Sequence, residues 1–261
     1  MLRGCHWRHP ENHPSFVLVY VHGLASCVEH DCSFMRIIPQ LGGACLATNH
    51  YVHGSSPGPR GFTTISEIEE EIAACIRYAY TMYSDVPLYL IGHSLGGLAS
   101  FVFTLHHRTE VSMLSGLILH APWLMMKPGH KLGKFLTSIL NGIAKKHPEF
   151  KIDTTIRPRK SPYPEEYKKA LKKTPYNDYV MTPALYFSVK NAQEFVANNW
   201  HNYPTSLPLL FMQGTADTAV DLGANIQMTE NLQSLEGVQE DIFLVEDEHN
   251  LFKSVTRKES L

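Results

Sequence analysis

Short apolar runs recur along the chain at Phe16 to Val21, Ala44 to Thr48, Leu88 to Ile91, Leu114 to Leu119, Leu207 to Met212 and Ile242 to Val245. Such runs suit strands buried on both faces, and helix-like segments lie between most of them. The alternation predicts an α/β fold with a mainly parallel central sheet flanked by helices. Between Ile65 and Tyr83 the apolar residues Ile65, Ile68, Ile72, Ile76 and Ala79 are three or four apart, which predicts an amphipathic helix. Glu67, Glu69, Glu70 and Glu71 crowd its first turns, where acids complement the positive end of the dipole. Leu95 to Arg108 is rich in apolar residues and predicts another helix.

The rhythm breaks after Leu119, because no strand-like run follows until Leu207. That gap is far longer than a simple crossover, so Trp123 to Asn199 is expected to be an inserted subdomain. The division is 1–120 and 201–261 for the core and 121–200 for a helical cap. Within the insertion, Leu132, Phe135, Leu136, Ile139, Leu140 and Ile143 share one helical face, flanked by Lys131, Lys134, Lys145 and Lys146. Packing on the main domain accounts for such a face, and so does a lid helix that meets lipid. Pro158, Pro162 and Pro164 then predict a loop before a Glu/Lys-rich helix from about Pro164 to Lys173.

With 261 residues, 44% of them hydrophobic and 18% charged, the chain can bury one substantial core. No run of about 18 apolar residues exists to cross a bilayer, and the first residues lack the apolar stretch of a secretory signal. A cytoplasmic or peripheral membrane protein is expected. The five cysteines, Cys5, Cys27, Cys32, Cys45 and Cys75, are odd in number and form no CxxC pair, so they read as reduced thiols. Histidines are numerous, but neither His30-Asp31-Cys32 nor His106-His107 has the spacing of a familiar metal motif, and no metal is expected. The net charge of −2 is unevenly spread: Ala121 to Lys190 holds fourteen Lys or Arg against five Asp or Glu. This basic block is either a solvated surface or attractive to an anionic membrane; without a recognisable module it does not point to nucleic acid.

The densest chemical signal is Gly92-His93-Ser94-Leu95-Gly96, directly after an apolar run and before a helix. A serine turned out at a strand-to-helix corner needs unusual backbone angles, and flanking glycines remove the β-carbons that would collide there. A serine hydroxyl also needs a base, and the base needs a group that sets its tautomer. The tail offers both, since Asp217 follows the run at Leu207 and His249 follows the run at Ile242. Asp221 and Asp247 are competing acids, but the first suits a helix start and the second is too near His249 to brace its ring easily. His93 reads as a packing neighbour. The oxyanion donors are assigned to the amides of Leu95, after the nucleophile, and Leu24, in the turn Val21-His22-Gly23-Leu24 after the first run.

These residues resemble an α/β-hydrolase, and within that fold the monoacylglycerol lipase and lysophospholipase-like group of the serine aminopeptidase S33 type. Beyond the HGL and GHSLGG segments, His53 to Gly61 is similar to the group's GHGxSxGxRG turn, with Val52 in place of its leading glycine. Pro175-Tyr176-Asn177-Asp178-Tyr179 resembles the segment at the end of the cap, and LLFMQGTADTAVD resembles the acid loop. The resemblance implies hydrolysis of a single-chain acyl ester through an acyl-serine, beneath a cap that can sit on membranes, with no cofactor. Thioesterase, acyltransferase or peptidase chemistry on the same scaffold, or a catalytically inactive lipid-binding homologue, are the alternatives. Group members commonly open on a hairpin and close on a complete helix, whereas this chain starts near its first central strand and stops soon after His249. An uncovered sheet edge or core face is therefore expected.

Overall fold

The computed structural model describes residues 3–127, 132–153 and 180–253. The segment around Pro164 to Lys173 and the Pro175 to Tyr179 motif lie outside the described residues. The elements are β1 (Gly4–Trp7), β2 (Phe16–Val21), α1 (Val28–Met35), β3 (Gly43–Thr48), α2 (Ile65–Met82), β4 (Leu88–His93), α3 (Leu95–His106), α4 (Arg108–Val111) and β5 (Gly116–His120). They continue with α5 (Lys134–Lys146), β6 (Ile152–Asp153), β7 (Val180–Met181), α6 (Pro183–Asn199), β8 (Leu209–Gly214), α7 (Leu222–Gln233) and β9 (Glu240–Val245).

Among the described residues, seven strands form one sheet in the order β1-β3-β2-β4-β5-β8-β9. All neighbours run parallel except β1, which pairs antiparallel with β3 at the edge. All six apolar runs of the sequence became strands. β1 was not anticipated, since Gly4-Cys5-His6-Trp7 carries no apolar run and borrows its extended form from the β3 backbone.

Side chains alternate across the central strands. Val17, Val19 and Val21 of β2 face one layer with Ala44, Leu46, Leu88, Leu90, Leu117 and Leu119. Leu18 and Tyr20 face the other, with Cys45, Ala47 and Ile91. The first layer is filled by α2, α3 and α6; the second by Val28, Phe34 and Met35 of α1 together with Phe252. α2 starts on a capping box in which the Thr64 hydroxyl accepts from the Glu67 amide and the Glu67 carboxylate accepts from the Thr64 amide. Glu69 and Glu71 are buried on partners of their own, so dipole compensation explains only part of that acidic run.

The turn after β3 carries a strained residue. Val52 has φ +63 and is fully buried, at the position where the resembling turn has glycine. A β-branched residue there costs about 1–2 kcal/mol. Burial of its methyls, on the order of 1.5–3 kcal/mol, offsets that cost.

α6, inside the stretch assigned to the insertion, buries Leu185, Val189 and Val196 in the layer formed with α2 and α3. α5 behaves differently. Leu140 is buried, whereas Phe135 is 78% exposed, Leu136 55% and Ile139 47%. Leu132 lies before the helix, whose N-cap is Gly133. Packing on the main domain thus accounts for one residue of that apolar face and leaves most of it in solvent. No helix of the described residues is long and apolar enough to cross a membrane.

At the far edge of the sheet among the described residues, Ile242, Phe243 and Leu244 of β9 are exposed. Glu240, at the start of β9, keeps both carboxylate oxygens buried without a hydrogen-bond partner, and burial raises its pKa to about 7. Its folded value lies above the unfolded value of about 4.3, so the stability it contributes is complete below that value and lost as pH rises through about 7. Glu240→Gln should therefore be more stable than the parent at pH 8, by about 1 kcal/mol after allowance for solvent screening. The difference should vanish below about pH 4 in urea denaturation, under the unfolded carboxyl value; equal midpoints at both pH values would reject the carboxyl as its source.

Candidate active site

Ser94 stands between the last residue of β4 and the first of α3, with φ +56 and ψ −114. Non-glycine residues hold such angles only when their surroundings over-determine them. Here the Ser94 amide donates to the His120 carbonyl at 3.0 Å, and its carbonyl accepts from the amides of Trp123 at 2.9 Å and Leu98 at 3.1 Å. A β-carbon on Gly92 would strike the Gly96 carbonyl and Ser100 Oγ; one on Gly96 would strike the carbonyls of Val21 and His22. The two glycines let α3 turn back against β2 and β4, which leaves the serine at the corner.

The strands on either side bring the predicted partners to the same sheet edge. Asp217, in the loop after β8, is 8% exposed. Its Oδ2 accepts from His249 Nδ1 at 2.7 Å and Gln213 Nε2 at 2.8 Å; its Oδ1 accepts from the amides of Ala219 at 2.7 Å and Val220 at 3.1 Å. Burial pushes this carboxyl up, but the His249 hydrogen bond and charge and the two amides together hold it below its usual value. Because its folded value is depressed, the stability it contributes is present above the unfolded value of about 3.9 and lost as pH falls through the folded one. The carboxylate fixes the His249 proton on Nδ1 and leaves Nε2 as the free acceptor. Neither competing acid takes this place: Asp221 caps α7 by accepting from the Ala224 amide, and Asp247 Oδ1 accepts from the Glu248 amide.

The remaining half of the expected line is not closed. No hydrogen bond joins Ser94 Oγ to His249 in this structure, although both are described. The His249 ring instead lies against that of His93, the residue before the serine, with centroids 4.8 Å apart. Its position answers to Asp217 and to the loop that follows it. Asn250 Nδ2 lies 3.3 Å from His93 Nε2, the Leu251 amide donates to His120 Nε2 at 3.2 Å, and Phe252 stacks on Phe34. His93 is accordingly a buried packing residue, as its sequence position suggested.

Gly23 lies against the serine, where a β-carbon would come within 3.0 Å of Ser94 Cβ. The next residue, Leu24, precedes Ala25 at φ +55, so the loop curls over the corner. The Leu24 amide donates to no backbone group, and the Leu95 amide, first in α3, has no acceptor within its helix. Both flank Ser94. A cavity of about 410 Å³ lined by Met125, Ala197, Trp200 and Met228 lies elsewhere, against α7, and contains none of these residues. Among the described residues no three His, Cys, Asp or Glu side chains could jointly hold a metal ion.

Two residues of this site were not legible in the sequence. Gln213, at the end of β8, donates to Asp217, while its Oε1 accepts from Asn225 of α7, whose Nδ2 also donates to the Pro122 carbonyl. Glutamine and asparagine twelve residues apart give no pattern; only the fold makes them neighbours. Gln213→Leu removes one donor to a buried carboxylate and should destabilise by about 1–3 kcal/mol in urea denaturation. Acid unfolding should also shift to higher pH, since Asp217 would rise toward its usual value. An unchanged acid midpoint would mean that Gln213 does not tune the carboxylate.

Comparison with known proteins agrees with this architecture. The chain is similar to rat (Rattus norvegicus) monoglyceride lipase, 27% identical over 128 residues that make up 48% of this chain and 40% of that protein. It is also similar to monoacylglycerol lipase of Mycolicibacterium smegmatis, 30% identical over 43% of this chain and 41% of the relative. The matches thus span about 40% of the length of these two relatives. Among solved structures, monoacylglycerol lipase of Paleococcus ferrophilus superimposes with a TM-score of 0.81 at 21% identity, covering 100% of this chain and 95% of that one. Residues 12–242 match the family described as serine aminopeptidase, S33, and the chain belongs to that α/β-hydrolase family.

Proposed function

We propose that this protein is a serine carboxylic-ester hydrolase that cleaves a single-chain acyl ester, a monoacylglycerol or lysophospholipid. The observation that carries the reading is the 2.7 Å bond from buried Asp217 to His249, at the same sheet edge as a serine held in a strained corner. Relatives named for monoacylglycerol hydrolysis support the substrate class.

In this mechanism His249 swings its Nε2 onto the serine hydroxyl as substrate binds, since catalytic hydrogen bonds often tighten only in that complex. Ser94 Oγ attacks the ester carbonyl carbon while His249 takes its proton, and Asp217 stabilises the imidazolium. The Leu24 and Leu95 amides receive the oxyanion. Collapse of the tetrahedral intermediate expels the alcohol, protonated by His249. Water, deprotonated by the same ring, then attacks the acyl-serine and releases the fatty acid. The residues need no metal or cofactor for these steps.

In the same reading a cap lies within residues 121–200, apart from core-packed α6, and α5 is its membrane-facing element. The exposed Phe135, Leu136 and Ile139, with Lys134, Lys145 and Lys146 on the same helix, would place apolar side chains in the headgroup region and lysines near anionic lipids. The protein would then be cytoplasmic and peripherally bound. Replacing the three apolar residues by serine should lower partitioning onto phosphatidylglycerol-containing vesicles on the order of 10-fold without reducing probe labelling. Unchanged partitioning would remove α5 from this role.

Wild-type protein should be labelled by a fluorophosphonate, and Ser94→Ala should abolish labelling while retaining the native circular dichroism spectrum. Asp217→Asn should lower kcat on a monoacylglycerol by about 10³–10⁴-fold, because the imidazole loses the partner that sets its tautomer. Turnover of acyl-CoA or aminoacyl amides above that of monoacylglycerol would redirect the substrate to a thioesterase or peptidase. Folded but unlabelled wild type would leave a lipid-binding protein.

A further inference from the structure

The loop that carries Leu24 is gripped by buried groups that the proposed mechanism does not use. His22, the last residue before Gly23, is fully buried. Its Nε2 lies 3.1 Å from the backbone amide of His50, which can only donate, so this nitrogen is the acceptor. Burial, with the neighbouring His50 and His53 charges, pushes the His22 pKa well below the usual value, so the ring is neutral and its one proton is on Nδ1. That proton is donated to the Gly23 carbonyl at 2.9 Å. The Ser26 amide reaches the same oxygen at 3.2 Å.

In a trans peptide the carbonyl of one residue and the amide of the next point in opposite directions. The group that holds the Gly23 carbonyl therefore decides where the Leu24 N–H points. Gly23 itself rests against Ser94, since a β-carbon there would come within 3.0 Å of Ser94 Cβ.

The grip has a second layer. His50 Nε2 lies 2.9 Å from the His22 carbonyl, and His50 Nδ1 lies 2.8 Å from Glu71 Oε2. The other carboxylate oxygen, Oε1, accepts from the Tyr51 amide at 2.6 Å. His50 thus spans the Glu71 carboxylate and the His22 carbonyl with its two ring nitrogens. The rings of His22 and His50 lie against each other at a tilt of 39°, with centroids 3.9 Å apart. An unbroken chain of contacts thus runs from α2 to the turn beside the nucleophile.

We propose that Glu71, His50 and His22 are positioning residues that aim the Leu24 amide at the oxyanion, a role that rests on the esterase reading of the site. They touch neither substrate nor the reacting atoms. Their effect belongs to the transition state, where an aimed donor is worth about 10²–10³-fold in rate and a misaimed one loses most of it. Loss of the relay leaves the acyl site intact, so ground-state binding is spared.

The test compares Glu71→Ala, Glu71→Gln and His22→Ala, each confirmed folded by thermal melting, on a monoacylglycerol substrate. Glu71→Ala and His22→Ala should each lower kcat about 10–100-fold with KM within about twofold, and slow fluorophosphonate labelling in proportion. Glu71→Gln keeps an oxygen for the Tyr51 amide and gives His50 Nδ1 a donor, so it should stay within about threefold of wild type. The double Ala variant should fall no further than the worse single variant, as expected of one relay. Unchanged kcat in folded Glu71→Ala, or a rise in KM alone, would overturn the proposal. A second measurement needs no turnover: ¹H–¹⁵N imidazole spectra of wild type should show His22 protonated on Nδ1 alone. His22 protonated on Nε2 would overturn the relay even in active enzyme. Wild type without labelling or turnover would instead defeat the esterase reading, and the spectra would still decide whether the grip exists.

Discussion

The backbone of Ser94 sits in a region that a non-glycine residue reaches only under constraint, and most of what surrounds it can be read as that constraint. β5 accepts the serine amide through the His120 carbonyl, the Trp123 amide closes on its own carbonyl, and α3 begins on the next residue. Glycines at two positions allow the helix to fold back onto the strands. With the corner in place, every loop at the carboxyl ends of β2, β4, β5, β8 and β9 has a fixed point to approach, which is where parallel α/β sheets gather their chemistry.

Polar satisfaction is concentrated at that edge. The Asp217 carboxylate accepts four hydrogen bonds, from His249, Gln213 and two backbone amides. Gln213 in turn holds Asn225, and Asn225 holds the Pro122 carbonyl, so a carboxylate that would be expensive to bury becomes the centre of a network tied to three loops. The other end of the sheet edge is organised by His22, His50 and Glu71. Glu240, at the opposite end of the strands, shows the contrast: a buried carboxyl without partners rises to about 7 instead of ionising. The same residue type is held charged or neutral according to which donors the fold supplies.

α5 and β9 each leave three large apolar side chains in water. On α5 they are accompanied by lysines, and on β9 they lie at the edge of the sheet among the described residues. Both are surfaces on which burial would release hydration, and they differ in charge, with β9 beginning Glu240-Asp241.

Periodicity and glycine placement by themselves determined the parallel sheet, α2 and the strand-to-helix corner, because each is a local consequence of side-chain spacing and backbone freedom. Chain order after the strands at Leu209 and Glu240 also determined which acid and which histidine would meet, and Asp217 and His249 did. Only the tertiary structure decided the rest. The edge strand β1 exists because β3 offers it a ladder, the apolar face of α5 stays mostly exposed because only Leu140 finds packing, and in α2 Glu67 closes the cap while Glu69 and Glu71 take histidine partners. That His249 bonds Asp217 but not Ser94 is likewise a matter of loop position, set by Asp217, Asn250 and Phe252. Contacts such as Gln213 to Asn225 or Glu71 to His50 join residues with no shared spacing, and long-range pairing of that kind has no local signature for a sequence to carry.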